Sequence, residues 1–358
     1  MKIIVDARFT RTDYHDGISR YGASLAGALA ELADVTLLIS DERQLALLPD
    51  LPWVKINSPL SPSELFVARK INRLNPDVVF CPLQTMGSAG RRYGLILTLH
   101  DLIYYQHPGP PGFLPWPVRA LWRLYHLAYW PQRLLLNRAD IVATISQTTR
   151  ALMQKHLLTR RPIRIVGNAP QAGAAPRASA ATTKSLVYMG SFMPYKNVES
   201  LIRGMAHLPG YTLHLLSRIN PARRAALEQI IPETADIVFH EGVSDAEYEQ
   251  LLREATALVT LSRAEGYGLP LVEAMTLGTP VIVADTPIFR EVGGAAAGYV
   301  DAEDSEAFAA AVRELEDPAV WQERAEASLQ QAAGYSWEKS AQELLAAAEE
   351  VRALRNKN

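Results

Sequence analysis

A chain of 358 residues that is 48% hydrophobic and 21% charged, with a formal charge of −2, has the composition of a globular protein large enough for two cores. The near-neutral balance argues against bulk nucleic-acid binding, so no nucleic-acid partner is expected. The single cysteine, Cys81, excludes an internal disulfide and reads as a small buried hydrophobe; with no apolar run of about eighteen residues, no membrane-spanning helix is expected and a cytoplasmic location is.

Residues 2–5 predict a buried strand. Beyond a loop, Ile18, Tyr21, Leu25, Leu29 and Leu32 recur at helical spacing, which predicts an amphipathic helix entered through Gly17. A strand at 35–39 completes a β-α-β start typical of an open parallel sheet. Further strands are predicted at 77–80, 95–99, 140–146 and 163–166. Ligands of such sheets gather beyond the carboxyl ends of the strands, which places Gly17, His100 and Asp101 along one rim. A histidine there is by default a structural hydrogen-bonder and by position a candidate for catalysis. Ser146 repeats the pattern of a strand followed by a small polar residue.

No acidic residue lies between Asp101 and Asp140, and 112–138 carries four arginines and three of the six tryptophans. Arg119, Arg123 and His126 share one helical face and Trp122, Tyr125 and Tyr129 another. This composition suits peripheral contact with anionic lipid headgroups, and equally a helix pair whose aromatics pack under the sheet while the arginines are solvated.

The small-residue, proline-containing segment 169–184 predicts a linker between an N-terminal domain, 1–168, and a C-terminal one, 185–335. In the second, strands at 186–190, 211–216, 237–240 and 258–261 alternate with helices at 197–206, 221–231 and 245–255. Helices follow at 304–315 and 318–334. A last one, within 336–358, starts at Ser336, a good N-cap, and is expected to pack back toward the first domain.

Most of the chemistry sits in 262–283, which reads as loop, helix and strand after the strand at 257–261. Gly266 and Gly268 let backbone approach a ligand, and a helix beginning near Leu269 and Pro270 points its unpaired N–H groups and positive dipole end at that loop. Glu265 and Glu273 flank it as acceptors for hydroxyl groups. Neither a Walker loop nor a dinucleotide fingerprint is present. The other reading is an ordinary strand–turn–helix whose Glu273 faces water.

Glu265 and Glu273 eight positions apart, with Gly266-Tyr267-Gly268-Leu269-Pro270 between them and Gly278-Thr279-Pro280 beyond, resemble the signature of the retaining glycosyltransferases of family four, in their bacterial form. Asp16-Gly17, His100-Asp101, Ser146, Gly190 through Lys196-Asn197 and Ser336-Trp337 fall in that family's order, so the resemblance runs through nearly the whole chain. It implies an α/β protein of GT-B fold, two Rossmann-like domains facing each other across a cleft, the first for the acceptor and the second for the donor. It also implies a hexosyltransferase that uses a nucleotide sugar, GDP-mannose ahead of UDP-glucose, and delivers the sugar to a glycan or lipid-linked acceptor. No cofactor and no metal are expected.

Carried over residue by residue, the resemblance gives Lys196 the donor diphosphate, Glu273 the ribose hydroxyls, Glu265 the donor sugar and His100 a sugar hydroxyl. Gly17, Gly190, Ser191, Asn197, Tyr267, Gly268 and Leu269 fall on the donor side, and Asp16, Asp101 and Ser146 on the acceptor side. The chain departs from the family at Ser191 and Tyr195, where arginines are common, and at Asp16, where the first of two glycines is frequent. Arg263 or Arg218 could supply the lost charge, and a catalytically idle domain that binds a glycan or a protein is the alternative those departures suggest.

Overall fold

The computed structural model describes residues 1–110, 114–171, 175–177 and 183–356. It divides into two compact units, Met1–Ala169 with Ser336–Asn358, and Pro170–Tyr335.

The first unit is built on strands β1 (Lys2–Asp6), β2 (Asp34–Ile39), β3 (Trp53–Lys55), β4 (Val78–Cys81), β5 (Gly94–Leu99), β6 (Ile141–Thr144) and β7 (Ile163–Ile165), all parallel, in the order β3-β2-β1-β4-β5-β6-β7. Every residue of β4, β5 and β6 is buried, as a parallel sheet covered on both faces requires. Its helices are α1 (Gly17–Ala30), α2 (Val67–Asn72), α3 (Ile103–Gln106), α4 (Trp116–His126), α5 (Trp130–Leu136) and α6 (Gln147–Lys155). Asp16, rather than Gly17, caps α1 by accepting from Ser19 N at 2.9 Å. The three-residue β3 and the short α2 and α3 carry too few periodic positions to be read from sequence.

The segment 112–138 forms α4 and α5; residues 112 and 113 lie outside the described residues. Trp122 meets Tyr104 edge-on at 4.8 Å, and Tyr129 stacks on Tyr105 at 4.4 Å and on His156 at 4.6 Å, so the aromatic face turns inward. Cys81 is fully buried.

The second unit carries β8 (Ser185–Tyr188), β9 (Thr212–Leu215), β10 (Asp236–Phe239), β11 (Ala257–Thr260), β12 (Val281–Ala284) and β13 (Gly298–Val300), also parallel, in the order β10-β9-β8-β11-β12-β13. Helices α7 (Val198–Gly204), α8 (Pro221–Glu228), α9 (Asp245–Glu254), α10 (Leu269–Thr276), α11 (Pro287–Gly293), α12 (Ser305–Glu314) and α13 (Pro318–Ala332) connect them. A capping box of Ser244 and Glu247 starts α9. One core of this unit gathers Leu201, Leu213, Val259, Phe308 and Trp321.

The segment expected as a linker is anchored where it is described. Arg177 donates from its backbone N–H to Leu277 O and from Nη1 to Ala255 O, both at 3.0 Å, and covers the Trp321 ring at 4.7 Å. Thr183 donates to Glu254 O at 3.0 Å. These contacts bind it to the second unit although its composition is that of a tether; residues 172–174 and 178–182 lie outside the described residues.

The last helix, α14 (Trp337–Asn356), belongs to the first unit and packs on α1 and β5. Trp337 lies edge-on to Tyr21 at 6.0 Å, and Leu344 and Val351 are fully buried. Gly94 is the point of closest approach, since a Cβ there would stand 2.2 Å from Val351 Cγ1 and 3.3 Å from Val78. Gly94→Ala is therefore expected to destabilise the unit by about 1–3 kcal/mol in denaturant unfolding, by overpacking. Adding Val351→Ala should restore part of that loss; purely additive losses would refute the contact as its cause.

Candidate active site

Strand order in the second unit reverses between β8 and β11, and an open parallel sheet offers its ligand crevice beyond the carboxyl ends of the two strands at such a point. The loops leaving them are stitched together. Arg263 N and Ser262 Oγ both donate to Tyr195 O, at 2.9 and 3.4 Å. Asn197, in the left-handed region at φ 54°, donates from Nδ2 to Leu261 O (3.1 Å) and Ala302 O (2.7 Å), while its Oδ1 accepts from Arg263 Nη2 (2.8 Å) and Ser200 Oγ (2.9 Å). Its amide is thus fully engaged and buried, and holds the loops in place.

Across this seam Lys196 Nζ donates to both carboxylate oxygens of Glu265, at 2.6 and 2.7 Å, with the two side chains 15% and 14% exposed. Removing two charges from water costs several kcal/mol for each, which only close pairing offsets, so neither charge is stable here without a partner. Two of the ammonium's three N–H groups are committed to Glu265, and the third makes no hydrogen bond among the described residues.

Gly268 caps α10 at φ 98°, and a Cβ there would lie 3.1 Å from the Phe289 ring, so backbone sign and packing both require glycine. No side chain caps this helix; Leu269 and Pro270 form its first turn, and Leu271 N is the one that bonds back, to Gly268 O at 2.9 Å. The start of α10 consequently keeps anion-seeking backbone donors at the crevice. Tyr267 turns its ring inward against Tyr335 at 6.2 Å and is 7% exposed, leaving its backbone as the part that borders the loop.

Glu273, one turn into α10, does not simply face water. It is half-buried, and its Oε2 accepts from Tyr248 Oη on α9 at 3.0 Å. Tyr248 has no periodic or motif signal to single it out; the Ser244–Glu247 capping box that fixes the start of α9 also fixes its placement. Gly190 is required by Tyr188, whose hydroxyl would stand 2.8 Å from a Cβ at that position and donates to Ser191 O at 2.7 Å. Gly190 N donates to Ser217 Oγ at 3.2 Å, which ties the loop after β8 to the loop after β9, where Arg218 is exposed.

Ser191 is exposed and brings no cation. Arg263 is committed to Glu303 at 2.6 Å, Asn197 and Pro194 O, and Arg223 to Glu199 and Phe192 O. Among the described residues no three His, Cys, Asp or Glu side chains gather to hold a metal ion.

In the first unit His100 follows β5, and its Nε2 lies 2.7 Å from Pro82 O. A carbonyl accepts only, so Nε2 carries the proton and Nδ1 is left as an acceptor. Burial pulls the His100 pKa below the usual histidine range against the pull of the Pro82 bond and of Asp101 and Asp16, so the ring is neutral near pH 7. Tyr21 meets it edge-on at 5.1 Å. Gly17 is exposed with open space where a Cβ would be, and Asp16 accepts from Arg11 Nε at 2.6 Å besides capping α1. Asp101 Oδ1 accepts from Ile103 N at 2.9 Å. Ser146 is fully buried and caps α6 through Thr149 N at 3.1 Å, which makes it part of the scaffold under the rim.

Residues 174–333 match the family described as glycosyl transferases group 1, and residues 15–169 match glycosyltransferase family 4. The O-antigen chain mannosyltransferase RfbU of Salmonella typhimurium is 33% identical over 131 residues, 36% of this chain and 37% of that protein. The O-antigen chain mannosyltransferase B of Escherichia coli is 30% identical over 160 residues, 42% of each. The alignments thus span well under half of these curated relatives. Among solved structures, the sucrose-phosphate synthase of Thermosynechococcus elongatus superposes with a TM-score of 0.75 at 18% identity, over 99% of both chains. Anabaena HepE in complex with UDP and glucose superposes with a TM-score of 0.73 at 16% identity, over 98% of this chain and 100% of that one. At those identities the likeness is one of fold. With a family match on each half and a parallel Rossmann-like sheet in each unit, the chain belongs to the family-four glycosyltransferases of GT-B fold.

Proposed function

We propose that the protein moves a hexose from a nucleotide sugar to a hydroxyl group of a glycan or lipid-linked acceptor, with retention and without a metal. The observation that carries this reading is the Lys196–Glu265 pair at the strand-order reversal, beside the uncapped start of α10. A donor's diphosphate would take the free N–H of Lys196 and the backbone donors of Gly268 and Leu269, which meet the charge that grows as the bond to the sugar breaks. Glu265 is assigned to hydroxyl groups of the sugar. Glu273, steered by Tyr248, is assigned to those of the ribose. In the first unit neutral His100 keeps Nδ1 as an acceptor for a sugar hydroxyl.

The reaction is read as passing through a loose, oxocarbenium-like state. The C1–O bond to the diphosphate breaks, the acceptor oxygen bonds C1 on the same face, and the acceptor's proton goes to a diphosphate oxygen. Mannose is the preferred sugar of this proposal and GDP-mannose its donor, a choice supported by the mannosyltransferase relatives; UDP-glucose comes second. A cytoplasmic location with peripheral membrane contact through 112–138 belongs to the same proposal, and among the described residues no helix is long and apolar enough to cross a membrane.

With a panel of nucleotide sugars, the wild-type chain is expected to release nucleotide slowly even without acceptor. Lys196→Ala should lower turnover on the order of 10²–10³-fold, the cost of removing a donor aimed at developing charge, with the second unit still melting cooperatively but at a lower midpoint because Glu265 loses its partner. Wild-type turnover in Lys196→Ala would refute the assignment, and a panel with neither turnover nor any nucleotide-induced shift in melting would refute the transferase reading.

Tyr248→Phe keeps the ring and removes one hydrogen bond to Glu273. Donor KM is expected to rise about five- to tenfold, near 1 kcal/mol, with kcat little changed. A fall in kcat at constant KM would instead place Tyr248 in the chemical step.

A further inference from the structure

We infer that α4 and α5 seat the protein on an anionic bilayer and that a lipid phosphate is bound between Arg133, Arg160 and Arg161. This rests on the proposed membrane contact of 112–138 and adds to it a headgroup site that extends beyond that segment, together with a different face of contact. With Trp122 and Tyr129 packed inward, the outer face is apolar: Trp116 is 79% exposed, Leu124 64%, Leu127 76% and Trp130 62%, and no residue of α4 is fully buried. Leu121 and Leu124 on α4, and Trp130 and Leu134 on α5, each stand at a helical spacing of three or four residues and are exposed, and Leu127 is exposed in the turn between the two helices. An exposed row of leucine and tryptophan on this scale marks an interaction surface.

The row runs into a depression of about 750 Å³ lined by Arg133, Asn137, Leu157, Thr159, Arg160 and Arg161. Trp130 and Leu134 flank Arg133 on α5, and Leu157, exposed and held at φ 49°, lines the depression itself. Arg133 uses Nε and Nη2 on Leu157 O (3.1 Å) and His156 O (2.9 Å), and Arg161 uses the same two nitrogens on Asn137 O (3.1 and 3.0 Å). Those bonds lock both guanidinium groups at the carbonyl ends of α5 and α6 and leave Nη1 of each available. The Arg160 guanidinium has no hydrogen bond or ion pair among the described residues. Planar groups held this way suit a phosphate, which accepts from several N–H donors at once.

Charge selects the occupant. From residue 102 to residue 169 there are nine arginines and lysines against one acidic residue, Asp140. That carboxylate, in a neighbouring depression that shares Arg160 and Arg161, is paired with Arg91 at 2.7 Å. A second copy of the chain would bring the same basic surface against this one and be repelled. An anionic phospholipid offers a phosphate and acyl carbon together, matching arginines beside an apolar row.

The test is co-sedimentation of the full chain with phosphatidylcholine vesicles, with and without about one third phosphatidylglycerol. The wild type is expected to partition about tenfold or more tightly onto the anionic vesicles. Arg160→Gln with Arg161→Gln should reduce that preference to near parity with an unchanged melt, and Leu124→Ser with Trp130→Ser should abolish binding to both vesicles. Loss of binding in the apolar variant alone, with the arginine variant still preferring anionic vesicles, would leave the membrane contact standing and overturn the phosphate site. No binding of the wild type to either vesicle would overturn both. Stabilisation by inorganic phosphate without vesicle binding would assign the depression to a soluble anion, and a dimer dissolved by the apolar variant would assign the row to self-association; either result overturns the inference.

Discussion

The contact on which the geometry of the crevice between β8 and β11 depends is the two-fold hydrogen bond from Lys196 to Glu265. Two largely buried charges on separate loops are stable only within bonding distance, so everything that fixes those loops serves the pair. Adjacency of β8 and β11 brings the loops to one place. The fully bonded amide of Asn197 and the Arg263 N to Tyr195 O bond then set their register. The left-handed conformation of Asn197 is the backbone strain accepted at this seam and is locked by its four hydrogen bonds, while Gly268 takes its positive φ at no steric cost.

The β-α alternation in both units and the strand–loop–helix around Gly268 were legible because they rest on local rules: period, glycine punctuation and buried apolar runs. Lys196 and Glu265 were legible one at a time. Their pairing across 69 positions was not, since nothing local records which loops a sheet will place side by side. Tyr248 stayed hidden for the same reason. The inward turn of Trp122 and Tyr129 agrees with the reading that packs their face under the sheet, whereas the exposure of Trp116, Leu124 and Trp130 was not legible, because a face assigned from charge assumes that apolar residues go inward. The segment 169–184 has a tether's composition, yet Arg177, whose long side chain finds both a carbonyl and an indole face, suffices to anchor its described part.

The absence of an arginine beside Gly190 gains meaning from how the nearby cations are used. Arg263 and Arg223 are spent on Glu303, Glu199 and loop carbonyls, and so act as scaffold. Arg218, carried by the loop that Gly190 N touches through Ser217, is exposed. A diphosphate at the start of α10 would therefore be met by one lysine and by backbone N–H groups, with that lysine already sharing its charge with Glu265. Under the proposed function, donor binding would be tied to a redistribution within the pair: as phosphates drew on Lys196, the Glu265 carboxylate would lose part of its partner and become a stronger acceptor for the hydroxyl groups of the sugar arriving with them. On that reading the Lys196–Glu265 contact would favour a ligand that brings anion and hydroxyls together over one that brings the anion alone, so the pair itself would discriminate a nucleotide sugar from a bare nucleotide diphosphate.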